Sequence, residues 1–209
     1  MKRFFQKIFI LLLCLICFSS CATTKIITDI NEYGNFPPEH SSMYIEDRII
    51  FPESLENVKE AKEYKFAYDD IWLGRTQLFL DVIYDDENFQ KEIERLTNFE
   101  YSWGTTKNKF LFDKKMKLFN YPTYIAIYRG ERYSYASIIE EEKRIVYVFL
   151  EEPFYDSTRE EILVPKIFLP KEYQFIHSGY DYKISYHIGT DYSEVLKDYF
   201  ESIERYLDE

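Results

Sequence analysis

Hydrophobic and polar residues alternate along much of the middle of the chain. Glu63–Tyr68 (EYKFAY) and Arg75–Tyr84 (RTQLFLDVIY) both carry the period-two pattern of half-buried strands. In the second run Leu78, Leu80, Val82 and Tyr84 share one face, opposite Phe79, Asp81 and Ile83. The period then lengthens. Phe89, Ile93 and Leu96 stand at i, i+4 and i+7, which predicts a helix over Glu87–Thr97 with Asp85 or Asp86 as its N-cap and Glu87 and Lys91 as an i, i+4 ion pair. Alternation returns in Thr123–Tyr128, Arg132–Ile139 and Arg144–Leu150, and the short connections between these runs favour an antiparallel meander. Residues 98–121 and 151–175 show little period, the latter interrupted by Pro153, Pro165 and Pro170. Asp181–Ile188 alternates again and is expected at a sheet edge. Ser193–Leu207 places Leu196, Tyr199, Phe200, Ile203, Tyr206 and Leu207 on one helical face, with Asp191 and Glu194 at capping-box spacing. Strands and helices that are each apolar on one side must cover one another. The expected fold is α+β: an antiparallel sheet of about five strands, with the mid-chain helix and the C-terminal helix packed on one face.

The N-terminus follows a different logic. Lys2, Arg3 and Lys7 precede the unbroken apolar run Ile8–Phe18, and the small residues Ser19 and Ser20 follow it. This is the pattern of a secretory signal, and the run is too short to cross a hydrocarbon core of about 30 Å. Phe18-Ser19-Ser20-Cys21 resembles the lipobox of bacterial lipoproteins, although Phe18 stands where Leu is usual. The resemblance implies cleavage before Cys21 and acylation of its sulfur, with two or three acyl chains giving stable anchoring. Cys14 and Cys17 lack the small preceding residue. The alternatives are an ordinary cleaved signal or an uncleaved anchor. The expected organisation is a signal peptide over 1–20, a lipidated N-terminus and tether over 21–40, and a single globular domain over 41–209. A flexible tether of about 15 residues reaches roughly 20 Å.

Composition narrows the function classes. Of 209 residues, 46% are hydrophobic and 19% aromatic, which excludes a mainly disordered chain. The three cysteines all lie at or before Cys21, so no disulfide or thiolate chemistry is expected in the processed domain. The signal holds three cations and no acid, and its removal takes the net charge from −11 to about −14. That charge excludes nucleic acid as a partner and leaves membrane attachment to the lipid on Cys21. Against this background Lys107, Lys109, Lys114, Lys115 and Lys117 stand close together, with Phe110 and Phe112 among them and Asp113 the lone acid. The strip reads either as a docking surface for a lipid headgroup or acidic partner, or as a solvated loop.

Beyond the signal, the chain is similar to a group of uncharacterised small lipoproteins of low-GC bacteria. The matching features are Phe51-Pro52-Glu53-Ser54-Leu55, Asp85-Asp86-Glu87, Glu92-Ile93-Glu94-Arg95-Leu96, Arg144-Ile145-Val146-Tyr147-Val148 and Leu169-Pro170. That group has no assigned activity, so the resemblance implies no catalytic residues.

Candidate chemistry is sparse. No nucleophile elbow, Walker loop, dinucleotide fingerprint or calcium loop is present, and no cofactor is expected. His40, His177 and His187 lack zinc-motif spacing, and Ser178 beside His177 forms no known motif. Glycan hydrolysis needs two carboxylates at a fixed separation. Asp69 and Asp70 beside the sugar-stacking aromatic Trp72, and Asp81 within an apolar strand, are the acids that fit. The twenty tyrosines offer another lead. Tyr124, Tyr128, Tyr133, Tyr135 and Tyr147 fall on adjacent predicted strands, where alternation would align some into an exposed aromatic ladder that, with Trp72, makes a binding surface. The alternative is that they fill the core. The expectation from sequence is a membrane-anchored lipoprotein with a non-catalytic interaction domain at the outer side of a cytoplasmic or outer membrane, meeting an envelope protein or glycan. An envelope glycan hydrolase using paired carboxylates is the alternative.

Overall fold

The computed structural model describes residues 24–35, 48–69, 76–103, 106–129, 132–151, 163–171 and 186–187. Its frame is a fully antiparallel sheet built from β1 (Thr24–Ile27), β2 (Glu60–Asp69), β3 (Thr76–Ile83), β6 (Leu111–Asp113), β7 (Thr123–Arg129), β8 (Arg132–Ile139), β9 (Arg144–Glu151) and β10 (Tyr186–His187). The order across the sheet is β1-β2-β3-β9-β8-β7, and β6 and β10 both pair with the outer edge of β7. A separate hairpin joins β4 (Tyr101–Trp103) to β5 (Thr106–Asn108). The helix α1 (Asp86–Asn98) follows β3 directly. The α+β class and the antiparallel sheet therefore hold, with more strands than the expected five; the additions are short strands at the edges. The C-terminal helix expected over Ser193–Leu207 lies outside the described residues.

Each face of the sheet has its own cover. On one face, Leu78, Leu80 and Val82 of β3 stand beside Phe149, Tyr147 and Ile145 of β9 in register, and α1 presents Phe89, Glu92 and Leu96 to the core. The helix begins where the sequence requires. Asp85 caps it by accepting the Asn88 N–H at 2.8 Å, and Glu87 pairs with Lys91 at 2.6 Å. The opposite face carries Phe79, Val148, Tyr133 and Tyr135. Among the described residues, its cover comes from the turn before β7 and from residues 163–171, which include the short 3-10 helix Lys166–Phe168. Phe119 packs on Tyr135 at 4.6 Å, Phe168 lies 6.3 Å from Phe79, and the Tyr135 hydroxyl donates to the Phe168 carbonyl at 3.0 Å. A sheet buried on both sides explains why its central strands are apolar almost throughout.

Part of the segment expected as a tether packs on the sheet. Residues 24–35 are part of the domain: β1 pairs with β2 from Thr24↔Asp69 to Ile27↔Phe66, and Tyr33 packs edge-on against Tyr64 and donates to the Pro52 carbonyl at 2.6 Å. Four residues are too few to show a period, while the outer edge of β2 needs hydrogen-bond partners. Among the described residues no helix is long and apolar enough to cross a membrane.

Candidate functional site

α1 stands on the sheet with a concavity on each flank. The larger is an open groove of about 880 Å³ between α1 and the corner formed by β6, β7 and the end of β8. Phe89 and Ile93 form its helix wall, Phe112 and Tyr124 its floor, and Met116 and Ile139 its ends. Phe112 and Tyr124 are cross-strand partners that stack with centroids 4.3 Å apart, and the Tyr124 hydroxyl bonds Thr97 of α1 at 2.6 Å. Large apolar side chains remain exposed here: Phe112 is 38% and Met116 41% accessible. Ile167 is 47% accessible, and its carbonyl accepts Asn120 Nδ2 at 2.9 Å. Lys114 lines the groove on the Met116 side, and Glu140, Glu141 and Lys143 line the other.

Asp113 builds the Met116 side. Its carboxylate is buried and accepts three consecutive backbone amides, Lys117 at 2.7 Å, Leu118 at 2.7 Å and Phe119 at 3.1 Å. These bonds fold the turn that carries Lys114, Lys115 and Lys117. Met116 sits in that turn at φ 55°, a left-handed conformation that costs a bulky residue about 1 kcal/mol. Lys171 Nζ donates to the Met116 carbonyl and its N–H to the Leu118 carbonyl at 2.8 Å, so the covering chain of the opposite face braces the turn.

The second flank is polar. Glu92 accepts the Tyr147 hydroxyl at 2.5 Å and two bonds from Arg95 at 2.6 and 2.8 Å, while Arg95 also donates to the Ile49 and Ile50 carbonyls at 3.2 and 2.7 Å. Tyr84 bonds Tyr147 at 3.0 Å. Burial opposes the charge of Arg95, but the hydrogen bond and field of Glu92 outweigh it and raise its pKa. Burial, then the neighbouring Glu92 charge, raises the Tyr84 hydroxyl as well. Clefts of about 540 and 310 Å³ flank Arg95. Every polar atom of the cluster named above faces another inside the protein, and the cluster serves to seat α1 on the sheet.

The sequence-predicted residues distribute unevenly over this architecture. Tyr124, Tyr133, Tyr135 and Tyr147 do not form an exposed ladder. All four are buried; Tyr124 and Tyr147 face α1, and Tyr133 and Tyr135 face the irregular cover. Strand alternation sends neighbours to opposite faces, and both faces of this sheet are covered. Tyr128 pairs in β7 with Tyr133 and Tyr186, with its backbone alone described. Asp81 is held by a two-pronged ion pair with Arg144, each carboxylate oxygen accepting one guanidinium N–H at 2.7 Å, an arrangement that favours the ionised form over a proton donor. Asp69 ends β2. Asp70, Trp72, His40, His177, Ser178 and Cys21 lie outside the described residues, and His187 contributes backbone pairing to β10. No cluster of three metal-ligating side chains occurs among the described residues.

Phe112 belongs to the strip that sequence offered as a docking surface, whereas Met116 and Ile93 were not distinguished as part of it. The signal was the basic strip itself: Phe112 alternates with the buried Leu111 and Asp113 and so emerges on the helix side. Compared with known proteins, the chain matches no family model, no curated protein and no solved structure.

Proposed function

We propose that this chain is a membrane-anchored lipoprotein, acylated on Cys21, whose domain is a non-catalytic interaction module at the outer side of a membrane, and that the groove beside α1 is its contact site. The observation that carries the reading is the exposure of Phe112 and Met116 in an open apolar groove beside a lysine-bearing turn, on a domain that is otherwise strongly acidic. Aromatic and Met side chains exposed together in a concavity are the composition of a protein contact, and burying such side chains contributes about 25 cal/mol per Å². The preferred occupant is an amphipathic segment with acidic flanks, met in the helix-in-groove mode.

The position of β1 supports a close approach to the bilayer. Two residues, Ala22 and Thr23, separate Cys21 from the strand at Thr24. Their reach of about 10 Å would hold this edge of the sheet near the headgroups instead of lifting the domain clear. Two measurements test the proposal. Mass spectrometry of the membrane fraction is expected to find acylated Cys21, with Cys21→Ser released to the soluble fraction. Crosslinking in intact cells is expected to give an adduct that Phe112→Glu abolishes. A wild-type-like adduct from Phe112→Glu would remove the groove from the account, and an unmodified Cys21 in a membrane-bound protein would remove the anchor.

A further inference from the structure

The anchor and the groove belong to opposite edges of the sheet. We propose that the β1 edge is the side the domain turns to its own bilayer, with Ile26 seated among the lipid headgroups, so that the groove is held outward on the far edge. The inference rests on the reading of Cys21 as the lipid-bearing residue. It adds the orientation of the domain, and with it the side from which a partner arrives.

Three observations converge. The first is attachment. Only Ala22 and Thr23 separate Cys21 from the strand at Thr24, so the lipid-bearing residue lies within about 10 Å of this corner of the sheet. The second is the chemistry of the corner. At the strand end, Thr24 stands opposite Asp69, and Asp70 follows in sequence, so an anionic leaflet repels that side. The edge offers Lys25 and Ile26 instead, both exposed. Ile26 is 54% accessible, more than any other large apolar side chain among the described residues. Such a side chain gains by entering the boundary between headgroups and acyl chains, and Lys25 supplies a cation beside it. Among the described residues β1 pairs with β2 alone, so its outer row of backbone N–H and C=O groups needs other partners. Hydrated headgroups supply them, and a bilayer against this edge keeps other chains from pairing with it.

The third is the path across the sheet. The order β1-β2-β3-β9-β8-β7, with β6 on the outer edge of β7, puts Phe112 six strand spacings from β1. At about 4.8 Å per spacing that is roughly 29 Å. The register adds an offset along the strands. It carries Ile26 across the sheet, through Ala67, Gln77, Leu150 and Tyr133, to Tyr128, whereas Phe112 pairs with Tyr124, four positions farther along β7. Anchor and groove are therefore at diagonal corners. The field of a charged leaflet fades within a Debye length of about 8 Å, far short of that separation. The lysines of the Met116 turn thus lie beyond the headgroups of the bilayer that holds Cys21. Of the two docking partners considered for the basic strip, this orientation removes lipid of the same bilayer and leaves the acidic partner.

Spin labelling tests this in the full processed protein, extracted from membranes and reconstituted in vesicles of phosphatidylcholine with phosphatidylglycerol. A ketone-bearing side chain placed at Thr28 or at Lys115, both exposed, takes an oxyamine nitroxide without using a thiol. Ni²⁺ held on a chelating lipid headgroup then relaxes each label according to its height above the bilayer. The β1-edge orientation predicts relaxation at position 28 about tenfold greater than at position 115, given the strand spacings between them. Ile26→Glu is expected to at least halve the effect at position 28, about the loss that follows when the edge loses its apolar contact. Equal relaxation at the two positions, or stronger relaxation at 115, in protein whose Cys21 is acylated overturns the orientation and leaves the anchor standing. A position 28 value unchanged by Ile26→Glu overturns the seat assigned to Ile26. An unmodified Cys21, read by mass spectrometry of the same sample, refutes the anchor and the orientation together.

Discussion

Replacing Asp113 separates the chemistry of one buried carboxylate from its bulk. Its Oδ2 accepts the Leu118 and Phe119 amides, and its Oδ1 accepts the Lys117 amide. In Asp113→Ala the Leu118 and Phe119 amides remain buried without a partner, at about 1–3 kcal/mol each, whereas the Lys117 amide is partly exposed and recovers water. The expected loss is about 4 kcal/mol. In Asp113→Asn the side-chain oxygen occupies the Oδ2 position and retains both buried bonds. Only the Lys117 contact becomes donor against donor, for a loss of about 1–2 kcal/mol. With a urea slope of about 2 kcal/mol per molar, the midpoint falls by about 2 M for Ala and by less than 1 M for Asn. Equilibrium urea denaturation followed by tyrosine fluorescence reads both values in the Cys21→Ser chain. An Ala variant within about 1 kcal/mol of wild type, or an Asn variant as damaged as Ala, would refute the claim that this carboxylate folds the Met116 turn.

Other consequences follow from the same packing. Arg144→Met leaves the Asp81 carboxylate buried without its partner and is expected to cost about 2–3 kcal/mol by urea denaturation, less than a fully buried pair because Arg144 reaches solvent; Asp81→Leu combined with it recovers most of the loss. Tyr147→Phe removes the bond to Glu92 and strands the Tyr84 hydroxyl, lowering the thermal midpoint by an amount corresponding to about 1–2 kcal/mol while α1 remains seated through Arg95. Burial raises the hydroxyls of Tyr84, Tyr135 and Tyr147, and burial with the Glu32 charge lifts Tyr64 to about 12. These groups favour the protonated form in the fold, so their contribution to stability is complete below about pH 10 and is lost as pH rises through the folded values. Ultraviolet titration should show tyrosinate absorbance lagging behind a denatured control and rising in one step on alkaline unfolding; a smooth titration of all tyrosines near pH 10 in folded protein would contradict the burial.

How far the fold was legible depended on element length. The long strands announced themselves: Arg132–Ile139 has the bounds its alternation predicts, and Arg144–Leu150 extends only to Glu151. The helix is likewise set by Asp85 and by the spacing of Phe89, Ile93 and Leu96. The elements that escaped are β1, β6 and the paired β4 and β5, each of three or four residues, too short for a period and held by the strands beside them. The site was less legible because it depends on which faces are covered. Tyr133 and Tyr135 look like a ladder until Phe119 and Phe168, from segments with no regular period, close over Tyr135 and its neighbours. Asp81 looks like an isolated acid until β9 brings Arg144 opposite Ile83, two residues along the strand and on the same face. Phe112 lies in the basic strip noticed from sequence, but its exposure follows from the pairing with Tyr124 and the position of α1.

The most direct test of the groove as the contact site is site-specific photocrosslinking in intact cells. A photoreactive side chain at Phe112 is compared with one at Glu56, an exposed position away from the groove. The account predicts an intermolecular adduct from position 112, and none above background from position 56. Equal adducts from both positions, or an adduct from position 56 alone, would contradict it.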